Sequence, residues 1–288
     1  MSRRIALATY ERAPALAPDD QLLVPALATF DVDAAPLVWS NSDAPWEDFD
    51  TVIIRSCWDY HLRFGEFLSW LDRLGVSGVA VWNSSLLVRW NAQKRYLLDL
   101  AQRGVATIPT MIVPRGGADD VASIVDAEGW TKFVLKPAVS ASGYETYALE
   151  TPLTADAIET IARVTALGDV LLQPFAIEVA RDGEYSFTFI DGEFSHATLK
   201  RATPGEFRVQ TEHGGSVERV DASAALVAQA EHVLRVLPER PLYARVDGIA
   251  RGRAFLLMEL ELIEPNLFLG ENDGAADRFA RAIVDRLG

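Results

Sequence analysis

The chain has 288 residues, enough for one large core or two to three smaller ones, and its 49% apolar and 24% charged residues exclude disorder as the default. A net charge of -14 leaves too few clustered Lys and Arg to neutralise a polyanion, which excludes nucleic acid as a partner but not a single nucleotide served by a few local cations. The lone cysteine, Cys57, excludes an intrachain disulfide and a Cys-based zinc site, and it points to a reducing, cytoplasmic setting.

The first apolar run, Ile5 to Ala8, is too brief for a signal segment or a membrane span. RRIALATY, then QLLVPALATF, then TVIIRS alternate strand-like and helix-like patterns, which predicts an α/β unit with parallel strands. In EFLSWLDRLG the residues Phe67, Leu68, Leu71 and Leu74 share a helix face, and Gly75 is the expected stop. This first domain is placed at residues 1–88.

NAQKRYLLDLAQRG predicts a helix of about three turns, with Asn91 as its cap and Gly104 as its C-terminal stop. The strand-like runs TIPTMIV and KFVLKP and the helical TADAIETIARVTALG complete a small α+β unit over 89–170. A third unit, 171–288, reads as strand after strand: DVLLQPF, EYSFTFI, EFSHATLK, LYARVDGI and RAFLLMELEL, with a hairpin turn at Asp191-Gly192.

Three constellations carry chemistry. In FVLKPAVSASGYET a strand delivers Lys136 and breaks into a loop of small residues ending at Gly143, where backbone N–H groups can approach phosphate oxygens; a plain surface turn is the alternative. Near the C-terminal end, Glu259 and Glu261 point to one face of an otherwise apolar strand, with Asp247 on the strand before it. Unpaired buried carboxylates cost several kcal/mol or more, so either Mg2+ or cations such as Arg245 and Lys200 must compensate them. A two-residue turn at Arg251-Gly252 would set Asp247 opposite Leu256, on the wrong face; sharing a metal requires an odd-length loop or a bulge, and Gly248 is the natural place for one. Lastly, HATLKRATPGEFRVQTEHGG concentrates Lys200, Arg201 and Arg208, which suggests an anion site or a solvated charged edge.

Together these pieces resemble the ATP-grasp superfamily, in the branch of ribosomal-protein glutamate ligases and bacterial glutathione synthetases. The carriers, over about residues 90 to 270, are Lys94, Lys136 with its loop, the hinge LLQPF, the acid in DGEYS, the run GEFRVQTEHGG, and Asp247 with the Glu-x-Glu pair. Over the whole chain, including IRSCWDYH and LMELELIEP, a closer resemblance is to the cyclo-ligase group that closes O-ureido-D-serine to D-cycloserine. The resemblance implies an ATP-grasp fold, mixed α/β and α+β, behind an N-terminal α/β domain, with ATP and two Mg2+ ions as cofactors.

Residue by residue, it places Lys94 and Lys136 on the nucleotide, and folds Ser140, Ser142 and Gly143 over the phosphates. Gln173, Pro174 and Phe175 would meet adenine. Glu184, or its near competitor Glu178, would hold the ribose, and Lys200 would join the nucleotide contacts. Asp247, Glu259 and Glu261 match the metal ligands, although relatives usually have Asn where Glu261 stands. Lys136, Arg208 and Arg245 are the candidate catalytic cations. Arg55, Ser56, Trp58, Asp59, Tyr60, Arg208 and Gly215 are the candidate substrate contacts, Arg55 for a carboxylate and Asp59 for an amino group; for Trp58 and Tyr60 the alternative is a covered core edge.

The implied reaction is phosphorylation of a carboxylate of a small amino-acid derivative, followed by attack of a nitrogen nucleophile. Rival readings are a peptide- or protein-tailing amino-acid ligase, expected to have a long open groove beside residues 55 to 65, and a catalytically silent nucleotide-binding protein. No membrane partner is expected, and a homo-oligomer is left open. Cys57 and the scattered His61, His196, His213 and His232 are assigned no catalytic role.

Overall fold

The computed structural model describes residues 3–203, 205–209 and 213–288, and its three sheets follow one another along the chain. The first contains β1 (Arg3–Thr9), β2 (Val32–Val38), β3 (Thr51–Ser56) and β4 (Ala80–Trp82) in the order β2-β1-β3-β4, all parallel. Parallel strands covered on both faces need continuous apolar runs, and Ile5–Ala8 and Val52–Ile54 supply them, fully buried. Crossovers are α1 (Pro18–Gln21) with α2 (Leu23–Ala28), and α3 (Phe64–Ser77), which buries Phe67, Trp70, Leu71 and Leu74. The expected stop at Gly75 is wrong: α3 runs through it and ends at Gly78, whose φ of 79° is the left-handed conformation a C-terminal cap needs.

Next come α4 (Ser85–Asn91) and α5 (Tyr96–Gln102), two helices where the sequence suggested one. Asn91 closes α4 instead of capping a helix start. Its side chain donates to the Leu260 carbonyl (2.8 Å) and accepts from the Leu262 N–H (2.9 Å). The second sheet has β5 (Met111–Val113), β6 (Lys132–Pro137), β7 (Tyr147–Glu150) and β8 (Val170–Pro174) in the antiparallel order β5-β8-β6-β7. Together with α6 (Ala118–Ala127) and α7 (Ala155–Leu167) it encloses a separate core around Phe133, Leu135, Ile161 and Val164. Strand β8, assigned from sequence to the third unit, hydrogen-bonds to β5 and β6 and so belongs here.

After α8 (Ile177–Arg181), the third sheet runs β9 (Glu184–Ile190), β10 (Glu193–Arg201), β11 (Ser216–Val220), β12 (Tyr243–Arg251) and β13 (Ala254–Glu261), in the order β11-β10-β9-β12-β13. Its apolar face packs on α4, α5 and α9 (Ala224–Arg235) through Phe187, Phe189, Leu260, Leu97 and Val233. Positive φ at Asp191 (48°) and Gly192 (75°) makes the expected hairpin turn between β9 and β10. The last helix, α10 (Ala275–Leu287), packs on α2, so Phe279, Ile283 and Tyr243 share one core with Ile5, Leu7 and Leu27. Among the described residues no helix is long and apolar enough to cross a membrane.

Candidate active site

Alternation along the third sheet sends apolar side chains to one face and charged ones to the other. Asp247 and Arg245 from β12, Glu259 and Glu261 from β13, Glu184 from β9 and Lys200 from β10 stand on the charged face. The hairpin turn lies at Gly252-Arg253, one residue later than expected, since Arg251 pairs with Ala254. Plain pairing from that turn would put Asp247 opposite Met258. Instead the register shifts between Asp247 and Gly248, leaving Met258 as the extra residue and Asp247 opposite Glu259. The bulge falls at the glycine that the sequence marked, and a β-carbon there would sit 2.3 Å from the Leu256 carbonyl oxygen.

Cations neutralise these acids. Lys200 Nζ lies 2.5 Å from Glu184 and 3.0 Å from Asp247, and Arg245 bridges Asp247 (2.8 Å) and Glu261. Glu259 pairs with Lys94, and Lys136 Nζ is 3.9 Å away. Of the two alternatives raised by the sequence, the structure shows the cations: the carboxylates are salt-bridged, and a cavity of about 260 Å³ opens beside them. Burial opposes the charge on Asp247, yet Arg245 and Lys200 hold its carboxyl well below the usual range. At Glu261 burial outweighs Arg245 and pushes the carboxyl up to about 7. Burial lowers Lys136 from its ordinary value, while Glu259 keeps Lys94 above its own against the same penalty.

Lys94 sits between α4 and α5, where its backbone N–H donates to the Ala138 carbonyl (2.7 Å) and ties that turn to the loop after β6. In that loop Ser140, Ser142 and Gly143 all line the cavity; φ values of 50° and 68° at Ser142 and Gly143 give it a tight turn. Gln173, Pro174 and Phe175 line the cavity too, with Gln173 held by a bond to Thr110 Oγ1 (2.9 Å). Ile108, Ala176, Val179 and Met258 supply apolar surface at that end. Arg208 also lines the cavity, held by Glu206 (2.8 Å), which its guanidinium keeps at about 2. Pro204 and, in the run GEFRVQTEHGG, Gln210, Thr211 and Glu212 lie outside the described residues.

Other candidates are placed elsewhere. Arg55 is fully buried: its Nε and Nη2 donate to Asp20 Oδ1 (2.9 and 2.8 Å), and Nη2 also reaches the Pro265 carbonyl (2.6 Å). Ser56 donates to the other Asp20 oxygen (2.6 Å) and accepts from the Ala17 N–H (2.9 Å). Arg55 thereby fastens the first domain to the third, Ser56 binds only within the first, and neither lines the cavity. Asp59 accepts from the Trp39 indole (2.7 Å), and Gly215 does not line the cavity. Glu178 is engaged by Arg251 (2.7 Å) and does not line the cavity, whereas Glu184 does. Trp58 and Tyr60 do line it. Among the described residues no group of three or more His, Cys, Asp or Glu forms a metal cage, so the expected three-carboxylate set is not gathered as one; Asp247 and Glu259 are the facing pair. The sequence reading missed Glu264, Asn266 and Phe268, which follow β13 and line the cavity. An acid before Pro265 at the end of a strand was the available signal for the first of them.

Residues 5–83 match the family model described as the N-terminal domain of D-cycloserine synthetase DcsG. The cycloserine biosynthesis protein DcsG of Streptomyces lavendulae is 34% identical over 282 residues, 92% of each chain. A crystal structure of D-cycloserine synthetase DcsG superposes with a TM-score of 0.90 at 30% identity, covering 99% of this chain and 100% of that one. The fold alone is shared with a D-alanine–D-alanine ligase of Bacillus anthracis complexed with ATP (TM-score 0.70, 13% identity, 98% and 96% covered) and with the ATP-grasp ligase PsnB complexed with Mg and ADP (0.65, 15%, 100% of both). With the charged face and its cavity lying in the third sheet of this architecture, the chain belongs to the D-cycloserine synthetase DcsG family of ATP-grasp ligases.

Proposed function

We propose that the chain is an ADP-forming carbon–nitrogen ligase that acts on a small amino-acid derivative in the manner of a cyclo-ligase. A substrate carboxylate oxygen attacks the γ-phosphorus of ATP and ADP leaves; the nitrogen nucleophile then attacks the carbonyl carbon of the acyl phosphate, loses a proton and expels phosphate. The observation that carries this reading is the bulge at Gly248, which turns Asp247 toward Glu259 on the wall of a cavity lined by five cations and five carboxylates. Such a cavity is close to neutral by itself. A triphosphate entering it brings several negative charges that need further cations, which favours divalent ions entering with the nucleotide.

The donor set fits Mg2+, which prefers one or two carboxylates plus phosphate oxygens to a full protein cage. Asp247 and Glu259 would hold it, with Glu261 at a second ion, and bound Mg2+ would neutralise charge on the terminal phosphates. Lys136 and Arg208 would position the transferred group, and Lys94, on Glu259, would orient that carboxylate. The apolar end at Ile108, Val179 and Met258, with Gln173 to Phe175, suits adenine. Glu184 suits the ribose. Arg55, salt-bridged to Asp20, and Ser56, hydrogen-bonded to it, are buried and offer no surface for a peptide at that strand end, which supports a small substrate. A cytoplasmic setting is supported by the single, buried Cys57.

A phosphate- and ADP-release screen with amino acids and O-substituted serines tests the reading. Wild type should release both, and Lys136→Ala and Glu259→Ala should lose at least about 100-fold in rate. Release unchanged in these variants would remove the proposed site, and no turnover with no ATP binding would favour a silent protein.

A further inference from the structure

Each of the four carboxylates on the charged sheet face holds a Lys or Arg. Glu264 lines the same cavity and has no ion-pair partner among the described residues. Its place follows from the strand. Met258 stands in the apolar cluster with Ile108 and Val179, Glu259 and Glu261 come next at about 3.3 Å per residue, and Glu264 lies three residues past the strand end. There the Glu264 carbonyl accepts from the Trp58 indole of the first domain (3.1 Å), which fixes this residue where the two domains meet. Along β13 the cavity thus passes from apolar surface, through the paired acids, to one carboxyl without an ion pair, which burial and the nearby Glu261 push up to about 8. Beside it the aromatic rings of Trp58 and Tyr60 face the cavity, and the Tyr60 hydroxyl makes no hydrogen bond among the described residues.

A carboxyl that lines a half-closed cavity with no Lys or Arg paired to it is a place for a cation that arrives with the ligand, which would keep it ionised there. The lysines and arginines are already spent on the other acids, and aromatic rings stabilise an ammonium better than a metal ion, which would need more oxygen donors. We propose that Glu264 is the specificity-determining residue that receives the α-ammonium of the substrate, with Trp58 and Tyr60 as the walls of that subsite. The sequence assigned this role to Asp59, whose carboxylate is occupied by the Trp39 indole and does not line the cavity. The proposal rests on the ligase reading and names its substrate class: a free amino acid, with its amine unblocked.

The test compares the amino acid with the highest kcat/KM in the release screen, beginning with O-ureido-D-serine, against its des-amino counterpart, 3-(ureidooxy)propanoate. Wild type should prefer the amine by about 100-fold or more in kcat/KM. Glu264→Gln should raise KM for the amine by about 30-fold or more, leave KM for ATP within about twofold, and cut the preference over the des-amino probe below about tenfold; Glu264→Asp should recover part of it. Calorimetric binding of Mg2+ and ADP reports that each variant is folded. An unchanged KM for the amine, or a loss of Mg2+–ADP binding equal to the loss of amine binding, overturns the ammonium subsite while the ligase reading stands. Absence of phosphate release by wild type with every probe overturns the ligase reading and the subsite with it.

Discussion

Replacing Gly248 by Ala is the sharpest perturbation of the site, because it adds one methyl group and removes no charged side chain. A β-carbon at this position would lie 2.3 Å from the Leu256 carbonyl oxygen and 2.6 Å from Cζ of Phe255. Nonbonded carbons rest about 3.5–4.0 Å apart, so the ring contact is short by roughly 1 Å and the contact with the backbone oxygen is also too close. The Phe255 ring is buried against Phe187 and cannot simply rotate away, so the two strands must part or the bulge must move. Overpacking of this kind costs about 1–3 kcal/mol, and the backbone clash puts Gly248→Ala at the top of that range. Moving the bulge also turns Asp247 away from Glu259, so Mg2+-dependent ADP binding should weaken by about tenfold or more. Urea denaturation and calorimetric titration measure the two effects. Gly252→Ala is the control: its φ of 65° is strained for alanine but nothing lies within 4 Å, so it should cost about 1 kcal/mol and leave nucleotide binding alone. A Gly248→Ala protein as stable as wild type, with the same ADP affinity, would refute the role of the bulge.

Arg55→Ala should destabilise the protein by about 3–5 kcal/mol in urea, because it strands the buried Asp20 carboxylate; a folded variant of unchanged stability with a raised substrate KM would make Arg55 a substrate ligand after all. His196 donates from Nε2 to the Leu267 carbonyl (2.9 Å), while burial, with Arg278 and Arg219 nearby, lowers it from 6.5 to about 4. The folded state therefore binds the proton less readily than the unfolded chain. Its contribution is complete above pH 6.5 and is lost as pH falls toward 4, at most about 3 kcal/mol, and the stability gap between wild type and His196→Gln should shrink over that window in pH-dependent urea melts. Glu261→Asn removes one charge from the carboxylate face, and a Mg2+ titration with ADP present should show a severalfold weaker midpoint; identical midpoints would mean that Glu261 serves only Arg245.

Patterns of alternation made the succession of strands and the charged strand face readable in advance. LYARVDGI and RAFLLMELEL carry the sheet face in their period of two, and a metal shared by Asp247 and Glu259 was enough to call for an odd-length loop or a bulge, with Gly248 the natural place for one; the structure has the bulge. Long-range pairing was not readable. Nothing local in DVLLQPF says that β8 adds to β5 and β6, and the Asn91 side chain looks like a helix cap until its strand partners are known. Arg55 failed as a substrate contact for the same reason: a strand-end arginine suggests an exposed cation, and its buried partner Asp20 lies 35 residues away in α1. Glu264 was overlooked because it lies beyond the periodic part of the strand, where alternation no longer says which way a side chain points.

The seam between the first and third sheets has a consequence for motion. Asn83 holds the carbonyls of Tyr243 and Leu262, Arg55 holds that of Pro265, and the Tyr243 hydroxyl lies within hydrogen-bond reach of carbonyls on both sides and shares its one proton between them, all around an apolar core that α10 completes. Those two parts form one jaw. The second sheet keeps a core of its own, so opening of the cavity should fall to it. Amide exchange should accordingly quicken at the edges of that sheet first, while the opposite wall, with Trp58 bonded to the Glu264 carbonyl, should stay protected.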